Sequence, residues 1–242
     1  MDETFLSGLR ILIVNFLPFC FLLHNKVFIQ AENQFACFSK AGEAETEDVA
    51  SGIYDANGRK VKITFGKDKS LNFSSNSTAE IIALANGMAK TEIGFNTLKL
   101  MDASDSKITI EVDTVNTIPR SDGKISAAET YPIISTPVNS YGTPIGRVYI
   151  SKAKIIIYQA TIKDVIARNH GKILINGVMI DTKKFSLLDI LSSYLIHEFI
   201  HVLDARSSSA LNPMAARVEV ERRPYEIQLQ YFNELDEQNR AK

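Results

Sequence analysis

The chain has 242 residues, of which 45% are hydrophobic and 23% are charged, and its 27 basic and 28 acidic residues give a formal net charge of -1. This balance is typical of a globular protein and argues against a disordered, collagenous or coiled-coil chain. Without a basic excess, nucleic acid is not expected as a partner. The two cysteines argue against a disulfide scaffold or a cysteine-rich metal cluster.

The N-terminal segment has the pattern of a secretory signal peptide over residues 1–31. Its apolar run, ILIVNFLPFCFLL at 11–23, is too short for a transmembrane helix, which needs about 20 residues. Ala31 closes a cleavage-site pattern, although Asp2 and Glu3 depart from the positive start of such signals, so a membrane anchor or a core helix are alternatives. We predict a secreted or periplasmic protein with no stable membrane insertion after signal removal.

The residues after the predicted cleavage site divide into a leader and one domain. Residues 32–50 are polar and acidic, which predicts a flexible leader. No repeat or break interrupts 51–242, so we predict a single catalytic domain there. At its start, runs of β-forming residues at 52–54 and 61–65 flank the turn sequence DANG at 55–58, which predicts a β-hairpin.

Helical spacing follows this hairpin. Ser77 and Glu80 fit a capping box, and the apolar positions after them predict a helix from about 78 to 90 that resumes after Gly94 through to Met101.

The central part of the chain combines strands with a loop. Strict alternation predicts a strand at 107–113. Residues 117–146 hold four of the seven prolines and predict a long surface loop that overhangs the site described next. A strand at 147–158 and a hairpin at 173–180 with an Asn-Gly turn follow.

The informative stretch is SLLDILSSYLIHEFIHVLD at 186–204, an amphipathic helix that opens with Ser186 and Asp189 in capping-box register. His197 and His201 lie one turn apart, so their β-carbons are about 5 to 6 Å from each other and both imidazoles can bind one zinc ion. Glu198 is displaced to one side, where it can reach a water on the metal and act as general base. The alternative is a buried helix whose histidines are satisfied by hydrogen bonds.

The HEFIH sequence resembles the zinc-binding helix of zincin metallopeptidases. This resemblance implies that His197 and His201 are zinc ligands and that Glu198 is the catalytic base. The metzincin branch requires glycine and histidine where this chain has Asp204 and Ser207, which excludes that branch.

The gluzincin branch takes its third zinc ligand from a glutamate on a later helix, and a helix is predicted here from about Val220. Glu221 resembles that glutamate, with Tyr225 in the place of the family's aspartate. Glu219 and Glu226 are the alternatives, and a solvated helix face is the ordinary role of each glutamate.

The order of elements also resembles small bacterial secreted and effector-type zinc peptidases. It implies an α+β, zincin-like fold, with a small mixed or antiparallel sheet packed on the metal-binding helix and a C-terminal glutamate helix. An edge strand, at 148–158 or in the 173–180 hairpin, would bind the substrate.

The expected function is therefore a secreted zinc-dependent endopeptidase with a protein or peptide substrate. The alternatives are a zinc amidase for a non-protein amide, such as a cell-wall amide, and a non-catalytic zinc-binding module. The oligomeric state cannot be read from the sequence.

Further candidates surround this motif. Asp204 is predicted either to orient a ligand histidine or to pair with Arg206 at the helix end. Tyr194, Tyr225 and His170 are candidates for stabilising an oxyanion, although packing or surface exposure is the more ordinary role of each.

Overall fold

The computed structural model describes residues 51–116 and 126–241 of the chain. The predicted signal peptide at 1–31, the leader at 32–50 and residues 117–125 of the predicted loop lie outside this part. The helices of the described residues are α1 (Ala79–Ala89), α2 (Glu92–Asp102), α3 (Gln159–Arg168), α4 (Leu187–Leu203) and α5 (Arg217–Arg240). The strands are β1 (Gly52–Tyr54), β2 (Lys60–Val61), β3 (Ile63–Phe65), β4 (Leu71–Phe73), β5 (Lys107–Asp113), β6 (Ala128–Ser135), β7 (Tyr149–Tyr158), β8 (Lys172–Ile175) and β9 (Val178–Asp181).

Five strands form one mixed sheet in the order β2-β1-β5-β7-β6. Strand β5 pairs in parallel with β1 and β7, whereas β2 and β6 are antiparallel to their neighbours at the two edges. Alternation along β5 and β7 places Ile108, Ile110, Ile155 and Ile157 in the core, each at most 2% exposed. The protein therefore belongs to the α+β class with a mixed sheet, which confirms this part of the predicted fold.

Helix α4 packs against β6 and β7 and also contacts α1, α2 and α5. The predicted capping box closes its first turn: Ser186 Oγ accepts from the Asp189 N–H at 3.1 Å, and the Asp189 carboxylate accepts from the Ser186 N–H at 3.0 Å. Leu195 and His197 are only 2% and 5% exposed, although two positions along an α-helix turn a side chain by about 200°. The helix is thus buried beyond the single apolar face that the sequence indicated, and this packing fixes the positions of its polar residues.

The first two helices begin one and three residues away from the predicted positions. Thr78, not Ser77, is the N-cap of α1, since its hydroxyl accepts from the Ile81 N–H. Helix α2 begins before Gly94, because Thr91 Oγ1 caps it by accepting from the Gly94 N–H at 3.0 Å. In both cases a threonine hydroxyl decides where the helix starts.

The predicted loop at 117–146 is wrong over Ala128–Ser135, which forms β6 along the whole of β7. Pro132 is tolerated in this strand because β6 lies at the sheet edge. The prediction of an edge strand at 148–158 is also wrong, because β7 lies between β5 and β6. Strand β6 is therefore the edge next to α4.

The two predicted hairpins differ in outcome. In the second, β8 and β9 pair as expected around Asn176 and Gly177, which have φ of 46° and 81° as a tight hairpin turn requires. In the first, β1 pairs with β2, but Ile63–Phe65 pairs with β4 instead. Among the helices described above, none is long and apolar enough to cross a membrane.

Candidate metal centre

A cavity of about 640 Å³ is lined by residues of β6, β8, α4 and α5. Thr130, His197, Glu198, His201 and Glu221 all contribute to its wall. The candidate site therefore combines residues of the edge strand β6 with residues of the helices α4 and α5, which come much later in the sequence.

The donor atoms of His197, His201 and Glu221 face one another. Nε2 of His197 lies 3.1 Å from Glu221 Oε2 and 3.2 Å from Nε2 of His201, and the third separation, from His201 Nε2 to Glu221 Oε2, is 3.6 Å. Donors in a tetrahedral shell at about 2.0 to 2.2 Å from zinc are about 3.3 to 3.6 Å apart. The three residues could therefore hold a metal ion, and the spacing of their donor atoms is close to that of a tetrahedral zinc shell.

Helix α5 brings only one of the three candidate glutamates to this cluster. It begins at Arg217 rather than near Val220, which places Glu221 in its second turn instead of its first. Glu219 and Glu226 are exposed to solvent on the same helix. Glu221 is thus the glutamate that joins the histidines.

The tautomer of His201 follows from its contact with a backbone carbonyl. Nδ1 of His201 lies against the carbonyl oxygen of Ser207, which can only accept a hydrogen bond. Nδ1 therefore carries the proton of the neutral ring, and the lone pair on Nε2 points to Glu221 and His197. This arrangement prepares Nε2 for a metal.

Asp204 does not hydrogen-bond either histidine. Its carboxylate accepts from the Arg206 N–H at 3.0 Å and from the Ser207 hydroxyl at 3.2 Å, and so closes the 3₁₀ turn Ala205–Ser207. Its ion pair with Arg206 is 3.5 Å long, and the Arg206 side chain is 91% exposed. Asp204 therefore affects His201 through the turn that places the Ser207 carbonyl.

His197 lacks the equivalent support. Its buried Nδ1 has no hydrogen-bond partner among the described residues, and the same holds for Oε1 of the buried Gln228. Gln228 is held through its Nε2, which donates to Ser193 Oγ at 3.2 Å, one turn before His197 on α4. The ring of Tyr225 packs on His197 with centroids 4.7 Å apart. Nδ1 of His197 and Oε1 of Gln228 therefore both lie buried in the cavity wall without a hydrogen bond, and Nδ1 would become a donor if the neutral ring bound a metal through Nε2.

The electrostatics of the cluster favour a cation. Burial opposes ionisation of Glu221, but the close contacts of its carboxylate with the rings of His197 and His201 outweigh it and hold the pKa of this carboxyl group well below its usual range. Burial also opposes protonation of His201, yet its contacts with Glu221, Glu198 and the Ser207 carbonyl raise its pKa above 6.5. The ionised carboxylate thus attracts positive charge, which a proton or a metal ion can supply.

Glu198 lies in the cavity wall outside this set of three. It is 6% exposed, and its Oε2 accepts a hydrogen bond from Thr130 Oγ1 at 2.7 Å. Thr130 is a residue that the sequence analysis missed, because it belongs to the stretch predicted as a loop. Its position beside Glu198 becomes clear only from the structure, in which β6 pairs with β7 and packs against α4.

The oxyanion candidates separate into two groups. Tyr194 and Tyr225 line the cavity, and burial raises the pKa of Tyr194 to about 12, so its hydroxyl stays protonated at neutral pH. His170 is exposed in the turn after α3 and does not line the cavity.

Comparison of the chain with known protein families, with characterised proteins and with solved structures gave no match.

Proposed function

We propose that this protein is a secreted zinc-dependent endopeptidase, with His197, His201 and Glu221 as zinc ligands and Glu198 as general base. The observation that carries the proposal is the spacing of 3.1 to 3.6 Å among the three donor atoms. The buried carboxylate of Glu198 is close by but is not one of the three groups that could hold the metal. This set resembles the zincin helix and the later glutamate of the gluzincin branch.

The chemistry divides among a few groups. A zinc ion held by His197, His201 and Glu221 would act as a Lewis acid for the scissile carbonyl and would make water nucleophilic near neutral pH. Glu198 takes the proton of the attacking water and returns it to the leaving amine, a role worth about 10² to 10⁴ in rate. The phenols of Tyr194 and Tyr225, which line the cavity, are the proposed donors to a developing oxyanion.

Strand β6 is the proposed binding surface for an extended peptide. One side of β6 pairs with β7, and no strand of the described residues pairs with the other side. An extended peptide can add to such an edge through backbone hydrogen bonds. Because Ala128 and Thr130 of β6 line the cavity, a peptide on this strand would run past Glu198.

The two alternatives make different predictions at the same site. A non-catalytic zinc module needs no general base and usually has four protein ligands, whereas the described residues offer three. This difference favours catalysis. A zinc amidase uses the same chemistry on another amide, so the substrate itself must distinguish it from a peptidase.

The test combines metal analysis with a peptide-library cleavage profile. The purified protein should bind about one zinc ion per chain and cleave peptides at defined bonds. Glu198→Gln should keep the zinc and lower the rate by about 10² to 10⁴, whereas the matched control Glu219→Gln should change neither. Absence of stoichiometric zinc, or an undiminished rate in Glu198→Gln, would overturn the proposal. Cleavage of cell-wall amides but not of peptides would favour the amidase.

Export is proposed from the N-terminal pattern alone. The N-terminus of protein recovered outside the cell should begin just after Ala31. Retention of the intact chain in the cytoplasm would overturn this part of the proposal.

A further inference from the structure

The hydrogen bond between Thr130 and Glu198 joins two elements that are otherwise separate parts of the site. Thr130 is the third residue of β6, paired with Ile155 of β7, and Glu198 lies in the second half of α4. The 2.7 Å bond is a charge-assisted one, because a hydroxyl donates to a carboxylate. It spans 68 positions of sequence.

This bond constrains the carboxylate in a particular way. The threonine hydroxyl has one proton, and Oε2 of Glu198 at 2.7 Å is a closer acceptor for it than the backbone carbonyl of Glu198 at 3.5 Å. Threonine is β-branched, so its χ1 angle is stiff, and its backbone is held by the pairing of β6 with β7. One oxygen of Glu198 is therefore fixed to the sheet, and the other is left for the cavity.

We propose that Thr130 is a positioning residue for Glu198: it holds Oε2 so that Oε1 faces the water that is to be deprotonated. This inference rests on the proposed function. A general base must lie within hydrogen-bonding distance of the proton that it takes, and a displacement of about 1 Å can cost about 10²-fold in rate. Because the same strand is the proposed peptide-binding edge, Thr130 also keeps the base in register with the bound substrate.

The experiment compares Thr130→Val, which keeps the shape and removes the hydroxyl, with Thr130→Ser, which keeps the hydroxyl. Thr109→Val is the matched control, since it makes the same change on β5 of the same sheet, at a residue that does not line the cavity. Each variant is made in the wild-type and in the Glu198→Gln background. Zinc affinity, kcat, KM and calorimetric affinity for acetohydroxamic acid, which gives up its proton when it chelates zinc, are measured.

Thr130→Val should bind zinc as the wild type does, lower kcat by about 10- to 100-fold with little change in KM, and bind the hydroxamate more weakly. Thr130→Ser should restore both values, and Thr109→Val should resemble the wild type. In the Glu198→Gln background, Thr130→Val should cause no further loss, because the two residues act as a unit.

Two outcomes separate the inference from the proposed function. Zinc binding and hydrolysis in the wild type with an unchanged kcat in Thr130→Val, or an equal loss in the Glu198→Gln background, would overturn the inference alone. Zinc binding without peptide hydrolysis would overturn the proposed function, and the hydroxamate affinities would then support or overturn the positioning of Glu198. If no zinc binds, both are overturned.

Discussion

The carboxylate of Glu221 lies 3.1 Å from Nε2 of His197, although 24 positions separate the two residues along the chain. The contact exists because α4 and α5 pack together over much of their length. Two further contacts of this helix pair, the ring of Tyr225 on His197 and the bond from Gln228 to Ser193, lie along the same seam. The position of Glu221 is therefore set by the packing of two long helices and not by a flexible loop.

The first prediction concerns the choice of glutamate on α5. Glu221→Ala should weaken zinc binding by more than about 100-fold, above the loss expected for a residue that only supports a ligand. Glu219→Ala and Glu226→Ala remove the same charge from exposed positions and should leave the affinity within a few-fold of wild type. Competitive titration with a zinc indicator measures all three. An equal loss in all three variants would show that Glu221 acts only through net charge.

The second prediction concerns the turn that supports His201. Asp204→Ala removes both side-chain hydrogen bonds of the 3₁₀ turn Ala205–Ser207 and leaves the backbone bond from the Ser207 N–H to the carbonyl of residue 204, so the Ser207 carbonyl should be held less firmly. Zinc affinity should fall by about 10-fold. The control is Arg206→Ala, which removes only the exposed ion pair and should have no effect. A larger loss in Arg206→Ala than in Asp204→Ala would contradict this account.

The third prediction concerns the buried Nδ1 of His197. A metal-bound histidine usually donates its other N–H to a nearby acceptor, and Oε1 of Gln228 is an unused acceptor in the same cavity wall. Gln228→Leu should weaken zinc binding by about 10-fold. Ser193→Ala breaks the existing bond of Gln228 but keeps Oε1, so it should have a smaller effect. Equal affinities in wild type and Gln228→Leu would exclude Gln228 as the partner of His197.

The fourth prediction concerns pH. Protons and zinc compete for Nε2 of His201, whose pKa is raised above 6.5 in the folded protein. As the pH is lowered, zinc affinity should therefore begin to fall while the pH is still above 6.5. Below the pKa of His201 the affinity should decline by about tenfold per pH unit. Protonation of Glu221 should not contribute there, because its pKa is held well below its usual range. Zinc titrations between about pH 6 and pH 8 test this, and a constant affinity would contradict it.

The fifth prediction concerns the packing behind the site. A Cβ added at Gly87 of α1 would lie 2.2 Å from Ser192 Oγ and 3.2 Å from Ser192 Cβ on α4. Moving the hydroxyl would break its hydrogen bond to the Leu84 carbonyl. Gly87→Ala should lower the free energy of unfolding by about 1 to 2 kcal/mol, because overpacking exceeds the gain in helix propensity. Chemical denaturation measures the change, with the exposed Asn86→Ala as control. An increase in stability would show that the two helices can separate without cost.

The sequence predicted the part of the site whose residues are close together on a single helix. His197, Glu198 and His201 lie within five residues, and the capping box at Ser186 and Asp189 indicates where their helix begins. The position of Glu221 depends on the packing of α5 against α4. From the sequence alone, Glu221 could only be ranked above Glu219 and Glu226 as the third zinc ligand. The resemblance to zincins supplied that ranking.

The rest of the site escaped prediction for physical reasons. Pro132 and the prolines around it indicated a loop where β6 lies. An edge strand tolerates proline and a central strand does not, so proline alone did not exclude a strand here. Helix α3 has no side-chain cap at Tyr158 and follows β7 directly, so it gives no start signal. The roles of Thr130, Ser207 and Gln228 depend on tertiary contacts, for which a single sequence holds no pattern.

The irregular shape of β6 also bears on solubility. An open sheet edge invites other copies of the chain to add strands without limit, and proteins restrain this by proline and by bulges. Here Pro132 removes one donor, and the register with β7 shifts between Ile133 and Ile134. The regular part of the edge is then about four residues long, from Ala128 to Tyr131, which is enough to hold a short guest segment but too little to template a fibril.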